Sequence, residues 1–169
     1  GGFSVRTAHA GGDGITGALS FRSGDATKGS SGAVAVKTGD GVKGTAGSIS
    51  LIVGSGTHAS GGRVVVNAGE STQHTGGSLS VISGLGSATS SGVFSIKTAD
   101  AGNDGVSGAL HFNSGTTSKG SSGSITLETG AAVSGTGGSV SVAIGSGNTG
   151  AGGRITITAG SASPTSAGT

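Results

Sequence analysis

The chain has 169 residues, a formal charge of +2 and 40 glycines, with one proline, four phenylalanines and no Cys, Met, Trp or Tyr. The missing cysteine excludes disulfides, thiol chemistry and Cys-ligated metals, and no apolar run reaches the 18 residues that would read as a membrane span. Nine basic and seven acidic side chains are spread too thinly, with no basic helix or aromatic stacking platform, for nucleic acid to be an expected partner.

Glycine near a quarter of the residues, with abundant Ser and Thr, fits a flexible low-complexity segment as well as a fold. The placement of the apolar residues favours a fold. A register set on glycine opens repeats at Gly1, Gly17, Gly32, Gly47, Gly62, Gly77, Gly92, Gly108, Gly123, Gly138, Gly153 and Gly168, fifteen residues apart except for sixteen after Gly1 and Gly92. The third position of each repeat reads Phe3, Leu19, Val34, Ile49, Val64, Leu79, Phe94, Leu110, Ile125, Val140 and Ile155. The fifth reads Val5, Phe21, Val36, Leu51, Val66, Val81, Ile96, Phe112, Leu127, Val142 and Ile157. All 22 are apolar in a chain that is only 31% hydrophobic. Apolar residues two apart around a polar one predict a short half-buried strand.

The seventh position extends the same face with smaller groups, from Thr7, Ser23 and Thr38 to Ile144 and Ala159. The eighth is always Gly or Ala, which suits a tight turn with positive φ. A return strand then turns small residues inward at Ala26, Gly41, Gly56, Ser71 and Gly86, and again at Ser30, Thr45, Ser60, Thr75 and Ser90. Strands of about five residues are too short for a sandwich of hairpins, and helices are excluded by the missing 3.6-residue period and the frequent glycine.

The expected fold is therefore all-β: a narrow two-layer parallel β-solenoid (β-helix) of about 15 residues per coil and about 11 coils, right-handed by the crossover rule. In it the 22 apolar residues form the core ladder, and stability comes from stacking neighbours. Residues 1–78 align with 92–169 at a constant offset of 91, so the expected domains are a six-coil unit, 1–91, and a second copy, 92–169. GALSFRSGDATKGSS (Gly17–Ser31) returns as GALHFNSGTTSKGSS (Gly108–Ser122), and both units place the sixteenth residue at an Asp-Gly corner, Asp13-Gly14 and Asp104-Gly105. With no capping segment over the sheet edges and no N-terminal Met, the chain reads as an excerpt that continues beyond both ends.

Candidate chemistry is sparse. The Asp-Gly turns GGDG at Gly11–Gly14 and GNDG at Gly102–Gly105 resemble those of calcium-binding β-rolls, but those need an Asp on successive rungs to supply six to eight oxygens; a bulged turn is the expected reading and no metal site is assigned. Arg6, Arg22 and Lys37 fall at the outward sixth position of consecutive repeats, a row that could hold polyanions or glycans. The second unit breaks it with Lys97, Asn113 and Glu128, and Asp25 and Asp40 could neutralise Arg22 and Lys37 locally. His9, His58, His74 and His111 have no ligand or catalytic spacing, and no acidic pair recurs in both units; no catalytic residue and no cofactor is assigned. A partial rank, Thr27, Val42, Thr57, Thr72 and Ser87, is similar to one face of a β-solenoid antifreeze protein. Thr156 and Thr158 form the one Thr-x-Thr pair on the apolar strand. Outward-facing Ile52, Val65 and Ile82, with Leu85 at a turn, form a candidate lateral contact.

Over its whole length the repeat resembles the Gly/Ser/Thr-rich tandem-repeat parallel β-solenoids of secreted fibres, adhesins and microbial cell-surface proteins. That resemblance implies a non-enzymatic structural protein, extracellular or at the cell surface, that forms or extends a filament or stalk. The partners it implies are further copies, head to tail and laterally, with glycans or surfaces as additional ones. Ice binding or an adhesin repeat region is the alternative.

Overall fold

The computed structural model describes residues 1–12 and 14–161, among which there is no helix and no β-strand. The expected all-β fold, a parallel β-solenoid or β-helix in two layers, is thereby corrected. The expectation failed at hydrogen bonding. A strand exists only where a neighbour takes up its N–H and C=O groups, and here only four backbone–backbone bonds form among the described residues. Folded proteins carry about one hydrogen bond per residue, two-thirds of them backbone–backbone. No ladder joins one repeat to the next among the described residues.

No core forms among the described residues either. The chain exposes 16882 Å². For 15.4 kDa, a folded monomer would expose about 7,200 Å² and a fully extended chain about 22,300 Å². All 22 third- and fifth-position residues are exposed, from 50% at Val5 and Leu110 to 93% at Phe3 and Ile157. No residue among those described is buried.

The 15-residue period nevertheless has a structure, and it is local. The chain divides into two units, Gly1–Val81 and Ile82–Thr169. In the first, three-residue bends fall at 27–29, 42–44, 57–59 and 72–74; in the second, at 87–89, 118–120, 133–135 and 148–150. Each occupies the eleventh to thirteenth positions of its repeat. Before and after the bend the backbone comes together twice. At the base, the glycine that opens the next repeat lies against the seventh-position residue. A methyl group built on Gly47 would lie 3.2 Å from Thr38 Cβ, on Gly62 2.7 Å from Val53 Cγ1, on Gly138 3.1 Å from Thr129 Cβ, and on Gly153 2.7 Å from Ile144 Cγ2. Nearer the tip, the tenth position meets the fourteenth. A methyl on Gly41 would lie 2.9 Å from the Thr45 carbonyl oxygen, and one on Gly86 would collide with the carbonyl of Ser90.

Where these contacts occur, the repeat is an open apolar segment followed by a pinched loop of the Ω type. Two bases are closed by a backbone bond, Gly77 N–H to Gly69 O and Gly92 N–H to Gly84 O, both 2.9 Å. A third is closed by the Thr129 hydroxyl, which donates to Gly138 O at 3.3 Å. Short loops close at small entropic cost, whereas pairing residues fifteen apart orders everything between them.

The sixteen-residue repeats use their extra residue for a hydrogen-bonded turn in place of the bend: Gly14 N–H donates to Gly11 O at 2.9 Å and Gly105 N–H to Gly102 O at 3.1 Å. The corner appears where the sequence placed it, but not as a bulge. A bulge is an extra residue in a strand pair, and the described residues contain no strand. Positive φ occurs at Gly29, Gly120 and Gly150, each at the thirteenth position, so the expectation of positive φ at the eighth is corrected too: the sharp reversal is at the loop tip, five residues on. Asp13 of the first corner and the repeat opening at Gly168 lie outside the described residues.

Candidate functional site

The candidate site is the exposed apolar surface. The third and fifth side chains of each repeat precede the pinched loop and are left uncovered by it. The half-buried residues among those described are instead Thr7, Ser23, Thr38, Ser83 and Thr98, with Gly86. Five of these six are seventh-position hydroxyl residues, covered by the glycine that opens the next repeat. The loop closure shelters small polar groups and leaves the large apolar ones to solvent, the reverse of the expected inward face. The sequence carried a signal for this in its unvaried glycine at position one, since a residue without Cβ at a fixed place marks close approach of another group.

The four residues of the candidate lateral contact are exposed, Ile52 by 85%, Val65 by 58%, Ile82 by 87% and Leu85 by 90%. Ile52 and Val65 belong to the first unit and Ile82 and Leu85 to the second. Further exposed hydrophobes outside the two rows, among them Ile15, Val42, Val93, Val106 and Val133, add to the surface.

The charged groups are solvated. Arg22 Nη2 meets Asp25 Oδ2 at 3.1 Å, with the two side chains 72% and 91% exposed, the local neutralisation expected for that arginine; exposed pairs of this kind contribute little. Lys37 and Asp40, at the same spacing, do not pair. The histidines stay apart: His58 Nδ1 lies 2.8 Å from Thr57 Oγ1, and the His74 N–H donates to Ser71 Oγ at 3.0 Å across the bend 72–74. No group of three metal-ligating side chains and no cavity occurs among the described residues. The rank of Thr27, Val42, Thr57, Thr72 and Ser87 is distributed one residue to a loop, each at the first position of its bend. No helix among the described residues is long and apolar enough to cross a membrane. Searches of family models, of curated proteins and of solved structures found nothing that matches this chain.

Proposed function

We propose that this chain is a non-enzymatic structural segment of an extracellular filament or stalk, and that it works by associating with further copies of itself. The observation that carries the reading is the apolar pair in every repeat, exposed in all eleven. Relative to a folded monomer of the same mass the chain leaves about 9,700 Å² uncovered, against the roughly 1,200–2,000 Å² that a stable interface buries. The apolar part of that surface favours association. A covering surface has to repeat with the same fifteen-residue pitch along the same length, and a second copy meets that requirement. The low charge of +2 offers little self-repulsion to oppose it. Extracellular placement rests on the likeness of the Gly/Ser/Thr-rich tandem repeat to those of secreted fibres, and glycans or surfaces are further partners on the same ground.

Sedimentation velocity of the purified chain over a rising concentration series, with electron microscopy of the same samples, tests this. Concentration-dependent assembly into elongated particles is expected. A monomer at every concentration would overturn the proposal, and thermal hysteresis from that monomer would replace it with ice binding.

A further inference from the structure

Three Asp-Gly dipeptides occur, Asp13-Gly14, Asp40-Gly41 and Asp104-Gly105, and the structure treats their glycine nitrogens differently. The Gly14 and Gly105 N–H groups are engaged, donating to Gly11 O and Gly102 O. The Gly41 N–H has no hydrogen-bond partner among the described residues. Asp40 and Asp104 are both exposed, and both dipeptides are followed by valine, Val42 and Val106. Local sequence therefore gives the two sites nearly the same intrinsic reactivity, and the hydrogen bond separates them.

We infer that Asp40-Gly41 is a site of spontaneous backbone modification, converting to isoaspartate through a cyclic imide while Asp104-Gly105 is held back. The Gly41 nitrogen attacks the side-chain carboxyl carbon of Asp40. A C–N bond forms, the nitrogen loses its proton, and one carboxyl oxygen leaves as water. Addition of water to the imide then opens either carbonyl. One direction restores aspartate; the other routes the backbone through the side-chain carbon, with no net change in composition. Glycine permits the attack because it has no Cβ to obstruct the approach and bends freely into the imide geometry. At Gly105 the nitrogen must first give up its bond to Gly102 O, and a bond of about 1 kcal/mol slows that step about fivefold.

The consequence is local and structural. Isoaspartate inserts one carbon into the backbone beside Gly41, the residue pinched against the Gly44 and Thr45 carbonyls. The loop that closes through Thr38 and Gly47 is lengthened at its narrowest point. Slow accumulation of this form would mark the age of a molecule that is not turned over, and it would do so at one loop of the first unit.

The test is incubation of the full chain at neutral pH, then peptide mapping for the imide (one water lighter) and for isoaspartate, with the same incubation in concentrated urea. Native chain is expected to accumulate isoaspartate at Asp40 about fivefold faster than at Asp104, and the two rates should converge in urea. Asp40→Glu, whose longer side chain disfavours the ring, should lose the product at that site alone. Equal rates in the native chain, a faster rate at Asp104, or a difference that persists in urea would each overturn the inference.

Discussion

Replacing Gly86 by alanine tests the pinched loop, because what the new methyl would meet is backbone. Its Cβ would collide with the Ser90 carbonyl oxygen and lie 2.8 Å from the Ser90 carbonyl carbon and 3.0 Å from the Thr89 oxygen. Carbon atoms in contact sit at about 3.5 Å or more, so the loop has to widen by about 0.7 Å. No rotamer change can absorb that, since the obstructing atoms belong to the main chain. Carried to the base of the loop, the widening takes the 2.9 Å bond from Gly92 N–H to Gly84 O to about 3.6 Å, beyond the range of an effective hydrogen bond. A bond of about 1 kcal/mol gives its amide about fivefold protection from exchange, and Gly86→Ala should remove it. Amide exchange of Gly92 followed by NMR is the measurement. Gly77, which makes the equivalent 2.9 Å bond to Gly69 O in the preceding loop, is the internal reference and should be unaffected. Gly54→Ala, where the methyl enters open space, should leave both amides unchanged. If Gly92 in the Gly86→Ala variant stays as protected as Gly77, the tenth and fourteenth positions are not pressed together and the loop is wrongly described.

Gly62→Ala should be milder than Gly86→Ala, because the obstructing atom, Val53 Cγ1 at 2.7 Å, can rotate away; adding Val53→Ala should restore the wild-type chemical shifts of that loop, and two independent effects would instead add. Ile52→Ser with Ile82→Ser, exposed by 85% and 87%, should reduce side-by-side association in electron micrographs while leaving the amide spectrum of the loops unchanged; undiminished bundling would remove these residues from the contact. Asp25→Asn breaks the one ion pair among the described residues and should leave loop chemical shifts elsewhere and assembly at physiological salt unchanged, as expected of an exposed pair; a large effect on assembly would place that carboxylate at an interface. Raising ionic strength should strengthen rather than weaken assembly if apolar burial drives it, which light scattering across a sulfate series would read.

Much of the organisation is written in the residues themselves. The fifteen-residue period, the extra residue at the Gly11–Gly14 and Gly102–Gly105 turns, and the row of small residues at the tenth and fourteenth positions are all visible in the sequence, and each has a counterpart in the structure. They are legible because they are local: a glycine at position one, a reversal within a few residues and a short loop closure depend on atoms close along the chain. The fate of Phe21, Val36 or Leu110 is of another kind. Alternation of apolar and polar residues is the same whether a strand lies beside the segment or not, and only a neighbour that takes up its N–H and C=O groups turns it into a strand. Tertiary structure decided that no such neighbour is present within the described chain, and that the loops close over Thr7, Ser23 and Thr38 while the large side chains stay in solvent. Closing a loop of about ten residues orders little chain, whereas stacking one repeat on another orders fifteen residues for each apolar pair it covers; the nearer contact forms and the wider one does not.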